Sequence, residues 1–293
     1  MDWPVSVALA RSVPELPTGT DWSYEMKVDG HRMIMWRTGD GVRLQARSGR
    51  DVTAAWGDLA LAGHHLPDGT VLDGEAVITT EDGRISFEAA QARAASSPVR
   101  ARRLASQRPA HYIAFDALQL PSGNVRPRPY SERRAALLTL LAELPVNTPI
   151  QAVSATTDRD TALTWYNTLH HEHGVEGIVA KRVTSPYRAG RTGAWQKIRH
   201  AETVDADVIG YTGPQTRPRM LAVRLPNGRT SLTQTLSAPL AAQIAQVLVA
   251  AGPAERSRAD TGDTYTRIPS GLAVVEVLAG TTRHALVTPL RLR

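Results

Sequence analysis

Trp22-Ser23-Tyr24-Glu25-Met26-Lys27-Val28-Asp29-Gly30-His31-Arg32 is the stretch on which the fold of this chain turns. Residues 22–28 read as a strand, and the strand runs straight into Lys27-Val28-Asp29-Gly30. A lysine amine is a competent nucleophile once it has lost its proton. Nearby positive charge or a bound metal favours that loss. Gly30 is expected to let the backbone turn close to a bound phosphate or sugar. Taken alone, the string fits an exposed β-turn after a strand just as well.

Its neighbours separate the two readings. Asp73-Gly74-Glu75 again sets carboxylates beside glycine, and Glu176-Gly177 does so a third time within an apolar segment. Carboxylates on buried strands are costly unless they are paired or hold a cation. Two of them can place Mg²⁺ beside a triphosphate. Lys181, Lys197 and Arg199 add cations, and Lys197 and Arg199 share one strand face. One nucleophilic lysine, isolated carboxylates and converging cations are what attack on a nucleotide α-phosphate requires.

Working outward, residues 32–38 and 42–48 read as strands joined by a turn at Gly39-Asp40-Gly41. Residues 70–78 read as a strand into a tight turn and out again. Residues 86–95 form a short helix, and 111–120 a strand buried on both faces. Residues 131–144 are helical with Ser131 as N-cap, and 158–173 form a further helix. Residues 175–182 and 194–200 return to strand. The arginine- and alanine-rich stretch 93–108 reads as a solvated loop rather than a nucleic-acid arm. Beyond His200 the texture changes to short strands, a hairpin turning at Asn227-Gly228, and one helix over 239–252. That pattern fits a small β-barrel of OB type. The expected domains are 1–200 and 204–293.

The chain has 293 residues, 42% hydrophobic and 21% charged, in the range of globular proteins. It has no cysteine, which excludes disulfides, cysteine-ligated zinc and thiol nucleophiles. His64-His65 and His170-His171-His173 lack metal-pair spacing and read as solvated. A net charge of +6 suits a polyanionic partner, although arginine-rich composition alone explains it equally well. No apolar run is long enough for a membrane helix, and the first residues do not read as a signal peptide, so a cytoplasmic location is expected.

The ordered strings KVDGHR (27–32), RSGRDVT (47–53), DGEAVI (73–78), FDAL (115–118), EGIVAKR (176–182) and WQKIR (195–199) resemble the motif series of the covalent nucleotidyltransferases. The match is closest to the bacterial ATP-dependent DNA ligases of the non-homologous end-joining type, and residues 185–199 are especially similar to that group. The resemblance implies an α+β fold, with an ATP-grasp-like adenylation (nucleotidyltransferase) domain followed by a small OB-fold barrel. It makes Lys27 the lysine that carries AMP, with Asp29 of the same motif and Lys197, on the α-phosphate, as its catalytic companions. Glu25 takes the position facing the adenine amino group, Phe115 the ring stacked on adenine, and Lys181 a supporting one. Arg32 lies near the ribose and the nick phosphate, and Arg47 meets the nick 5′-phosphate, preceded by Ala46 where serine is usual. Glu75 corresponds to the ribose-contacting acid and Glu176 to the metal-facing acid, the two being the expected ligands of Mg²⁺ or Mn²⁺. Arg199 stands where lysine is commoner, keeping charge but changing geometry.

Other residues fit two roles. Phe115 and Trp195 also suit plain core packing, Asp116 suits a ligand or a strand-end cap, and Arg50 and Asp51 suit a surface ion pair. In the family a closing motif with arginines and an aspartate orients the leaving group. Here Arg283, Arg291 and Arg293 are the candidates and the aspartate is missing, which implies either slower self-adenylation or Arg291 and Arg293 serving alone. About 20 residues precede the catalytic strand, and the hairpin at 227–228 is short, which implies neither a DNA-wrapping domain nor a long latch.

The resemblance therefore implies ATP-dependent sealing of nicked double-stranded DNA through lysyl-AMP, by a monomer in the nucleoid-associated cytoplasm, with an end-bridging protein such as Ku as a partner. The absence of cysteine favours ATP over nicotinamide dinucleotide, whose ligases carry a four-cysteine zinc module. Two other classes stay open at this point. One is an RNA ligase or capping-type guanylyltransferase, and the other is a non-catalytic nucleic-acid-binding homologue.

Overall fold

The computed structural model describes residues 1–200, 203–226, 228–249, 255–259, 262–278 and 287–293. The chain forms two compact units, Met1–His200 and Ala201–Arg293.

The first unit contains β1 (Arg11–Ser12), β2 (Trp22–Lys27), β3 (His31–Thr38), β4 (Gly41–Ala46), α1 (Gly57–Gly63), β5 (Thr70–Ile78), α2 (Phe87–Ala94) and α3 (Pro98–Gln107). It continues through β6 (Ala110–Leu120), β7 (Gly123–Asn124), α4 (Tyr130–Ala142), β8 (Ile150–Ala152), β9 (Ala155–Thr156), α5 (Arg159–His173), β10 (Gly177–Arg182) and β11 (Trp195–Arg199). One sheet runs β1-β11-β10-β2-β9 and the other β4-β3-β5-β6-β7, with β8 parallel to β6. Two-residue alternation gives each sheet two faces. Tyr24, Ile178 and Ala180 turn one face of the first sheet onto α5. Met33, Met35, Leu44, Leu72 and Tyr112 turn one face of the second onto α1, α2 and α4. The opposite faces meet around Ile34, Trp36, Tyr187 and Trp195.

Several expectations are corrected. Residues 70–78 make no turn; β5 is continuous, with a register shift between Asp73 and Gly74 against β6. Glycine is needed there because a Cβ on Gly74 would lie 2.5 Å from the Tyr112 ring. Gly30 has ordinary backbone angles, and its missing side chain makes room for the Ala76 carbonyl, 2.3 Å from where a Cβ would sit. In the bend after β2 this glycine is therefore required for the packing of β3 against β5. Residues 93–108 are not a loop: Arg93 is buried against Asp58, and Ser97 caps α3. Ser131 is not a cap; α4 begins at Tyr130 after Pro129, and the Ser131 N–H donates to the Val183 carbonyl. Asp51 pairs with Arg43 at 3.2 Å rather than with Arg50, and it accepts from Thr53. Asp116 is neither ligand nor cap, because Arg133 grips it with two bonds of 2.7 and 2.9 Å, both side chains fully buried. His170 is half-buried and stacks on His200, with ring centroids 4.4 Å apart, while His64 and His65 are exposed.

The second unit contains β12 (Thr203–Thr212), β13 (Met220–Arg224), β14 (Thr230–Leu232), α6 (Ala238–Leu248), β15 (Arg256–Arg258), β16 (Thr264–Arg267), β17 (Val274–Leu278) and β18 (Thr288–Leu292). Pairing runs β14-β13-β12-β17-β18, and a parallel bridge from Thr233 to Val287 curls the ends together, as in an OB-type barrel. The core around Val208, Leu221, Val275 and Val277 takes in Leu240 and Ile244 of α6. The β13–β14 turn has Gly228 at φ 83°, a left-handed conformation suited to glycine, whereas Asn227 lies outside the described residues. No described helix is long and apolar enough to cross a membrane.

Candidate active site

The facing sides of the two sheets carry the polar residues of the first unit. Alternation along β2 that buries Tyr24 among apolar neighbours sends Glu25 and Lys27 to the other side. Register then completes the group. Lys27 lies opposite Gly177, and Gly177 opposite Arg199. A Cβ on Gly177 would lie 2.1 Å from the Ile198 carbonyl, so this glycine permits close packing of β10 on β11.

The Lys27 ammonium contacts the Glu176 carboxylate, and Arg199 Nη1 reaches the other Glu176 oxygen at 3.2 Å. Burial works against ionisation of Glu176, yet Lys27 and Arg199 hold it below the usual carboxylate range. Lys197 is half-buried, and burial together with the charges of Lys27 and Arg199 lowers its pKa to about 8. The exposed Arg47 adds to that effect and therefore lies within electrostatic reach of Lys197. Asp29, in the turn after β2, is raised to about 6 by burial and by Glu176. Glu75 is raised to about 7 by burial, with Asp29 and Asp73 adding to the rise against Lys27 and Arg32.

Arg32 stands opposite Glu75 across β3 and β5. Asp73 fixes it with bonds of 3.1 and 2.6 Å and also accepts from the Tyr187 hydroxyl at 2.6 Å. The guanidinium lies over the Phe115 ring at 5.1 Å and near Trp195 at 5.8 Å. Phe115 is partly buried and meets Trp195 edge-on. Glu25 is almost fully buried, taking Lys181 Nζ at 2.8 Å on one oxygen and the Tyr130 hydroxyl on the other. Arg134 lies 3.6 Å from that second oxygen. Lys181 also donates to the Phe115 carbonyl at 2.7 Å and sits 4.0 Å from the centre of the Trp195 ring. Burial lowers its pKa against the pull of Glu25.

Glu25, Lys27, Asp29, Arg32, Glu75, Phe115, Glu176, Lys181, Lys197 and Arg199 are thus linked by contacts and charge into one group between the two sheets, with the exposed Arg47 within electrostatic reach. Arg291 and Arg293 are engaged inside the second unit. Arg291 pairs with Glu276 at 2.5 Å, and Arg293 with Asp205 at 2.9 Å and Glu276 at 3.3 Å. Arg283 lies outside the described residues. Sequence reasoning assigned no role to Asp73, Tyr130, Arg134 or Tyr187. An aspartate within the apolar strand 70–78 was the available signal for Asp73; the other three carried none.

Among the described residues no group of three or more histidine, aspartate or glutamate side chains could hold a metal ion. Asp29 and Glu75 are nevertheless carboxyls that burial pushes toward the neutral form despite Lys27 nearby, and a cation shared with substrate phosphates would favour their ionised form.

Residues 7–199 match the family described as ATP dependent DNA ligase domain. DNA ligase C2 of Mycolicibacterium smegmatis is 39% identical over 209 residues, 71% of this chain and 57% of that protein. The multifunctional non-homologous end joining protein LigD of Mycobacterium bovis is 34% identical over 198 residues, 66% of this chain and 23% of that protein. A solved structure of mycobacterial DNA ligase D complexed with ATP and MES matches with a TM-score of 0.56 at 25% identity, covering 98% of this chain and 94% of that one. The chain belongs to the ATP-dependent DNA ligase domain family. It spans a little over half of the first relative's length and under a quarter of the second's.

Proposed function

We propose that this protein seals 5′-phosphate/3′-hydroxyl nicks in double-stranded DNA with ATP, through AMP carried on Lys27. The observation that carries this reading is the Lys27 amine at a strand end, in contact with Glu176 and flanked by Lys197 and Arg199. Lys27 must shed a proton before it attacks the α-phosphorus of ATP, a loss that nearby positive charge favours. The new nitrogen–phosphorus bond forms as the bond to pyrophosphate breaks, while Lys197 and Arg199 offset the charge on the phosphate oxygens. The DNA 5′-phosphate then takes AMP from Lys27, and the 3′-hydroxyl displaces AMP as the phosphodiester forms.

Glu25, paired with Lys181, would accept from the adenine 6-amino group, where guanine carries a carbonyl oxygen, and so favours adenine. Phe115 offers its ring to the base, and Arg32 and Arg47 meet the ribose and the nick phosphate. Glu75 and Glu176 would hold Mg²⁺ or Mn²⁺, which neutralises phosphate charge when bound. In this reading residues 1–200 are the adenylation domain and 204–293 the OB-fold domain. The name of the LigD relative supports a role in end-joining repair, with an end-bridging protein such as Ku as partner and a monomer as the working form, free of membrane and associated with the nucleoid in the cytoplasm.

Incubation with α-labelled ATP or GTP tests the reading. ATP label should become covalently attached to the protein and survive denaturing electrophoresis and alkali, be absent from Lys27→Ala, and move onto nicked DNA. Labelling by GTP instead, or undiminished labelling of Lys27→Ala, sinks it.

A further inference from the structure

Between Glu88 and Asp116 the chain has no acidic residue and five arginines. Arg93 is consumed in the core by Asp58. Arg100, Arg102, Arg103 and Arg108 line the surface, and none of the ion pairs among the described residues engages them. The first three project from α3, which packs inward through the buried Ala101. At 100° per residue they spread over the outward surface of that helix.

The arrangement opposes the helix's own electrostatics. The first turn holds no acid, although the helix N-terminus favours negative charge, and Arg100 stands three residues past the Ser97 cap. Arg100 and Arg103 are a like-charged pair at a spacing of three, which is itself unfavourable. An external polyanion would offset such charge.

The position of α3 says which one. The helix rests on the turn Thr53–Ala55, and Arg93 Nε donates to the Ala55 carbonyl at 3.1 Å. That turn is tied to Asp51 through Thr53, and Asp51 closes the segment that begins at Arg47. Through that turn α3 is joined to the segment 47–51, which holds Arg47.

We propose that Arg100, Arg102 and Arg103 form a second phosphate-contacting surface that grips duplex DNA flanking the nick, outside the chemical site. This rests on the DNA-ligase reading. Guanidinium groups suit phosphate oxygens, and contacts of this kind add affinity without sequence preference.

The test compares the full chain with the triple variant Arg100→Gln, Arg102→Gln, Arg103→Gln, and with the triple Lys variant that keeps the charge. Binding to a fluorescent nicked duplex is titrated across salt, and lysyl-AMP formation from ATP is measured in parallel without DNA. The Gln variant should form lysyl-AMP at the parent rate but bind more weakly. Its log Kd against log salt slope should flatten by about 0.9 for each phosphate left without its arginine, roughly 2–3 in all. The Lys variant should keep most of the slope. An unchanged slope in a Gln variant that still forms lysyl-AMP overturns the surface and assigns the arginines to another polyanion. A flattened slope in the Lys variant as well means that shape rather than charge was removed, and it also overturns the proposal. A parent that never forms lysyl-AMP defeats the ligase reading instead, so the two failures are distinct.

Discussion

Glu75→Gln replaces a carboxyl that the fold holds in its neutral form to about pH 7. The unfolded reference lies at 4.5, so folding moves it by about 2.5, worth roughly 3.4 kcal/mol between the fully protonated and fully ionised limits. The pKa is raised, so the associated stability is fully present below the unfolded value and is lost as pH rises toward 7. About 2.5 kcal/mol of that loss falls between pH 5 and pH 8, as an upper bound, because Glu75 keeps some contact with solvent. Glutamine cannot ionise and escapes the loss. In a unit of this size 1 kcal/mol moves the unfolding midpoint by about 2–4 °C, so the variant should gain roughly 5–10 °C on the parent as pH goes from 5 to 8. The assay is thermal unfolding followed by tryptophan fluorescence at several pH values in chelator. Magnesium at pH 8 should raise the parent midpoint more than that of the variant. A gap between the two proteins that stays constant from pH 5 to pH 8 refutes the reasoning, because Glu75 would then ionise as freely in the folded protein as in the unfolded chain.

Lys197 loses its proton near pH 8, so lysyl-AMP formation should decline above that pH; Lys197→Arg should shift the decline upward in a pH–rate profile, and an unmoved profile would reject this role. Asp73→Asn strips Arg32 of its two-point carboxylate and should cost about 3–5 kcal/mol in denaturant unfolding, whereas Tyr187→Phe should cost about 1 kcal/mol. Equal losses for the two would mean that the hydroxyl, not the charge pair, holds the site. Gly30→Ala drives a methyl into the Ala76 carbonyl and should cost about 1–3 kcal/mol or more, read as a lower midpoint for the whole first unit; a neutral result would mean that close packing at Ala76 does not require this glycine.

What the sequence by itself determined is local in character. Two-residue alternation marked the strands around Lys27 and Lys197, three- and four-residue spacing marked the helix 131–144, and carboxylates beside glycine marked Glu75 and Glu176 as groups in need of a partner. The order of the motif strings then led to the ligase class, because each string keeps its residue types at short, fixed spacings. What only the tertiary structure decided depends on strand register and on two sheets closing face to face. Asp73 meets Arg32 across 41 residues and Tyr187 across 114, and Tyr130 reaches Glu25 across 105. No local period encodes such separations, because they follow from which strands pair and in what register. Gly74 was misread for the same reason: the neighbouring strand fills the space it lacks, and a turn signal and a close-packing signal are the same letter in sequence. The raised carboxyls of Asp29 and Glu75 are likewise invisible in the chain, since they arise only when packing removes water from groups that stand far apart along it.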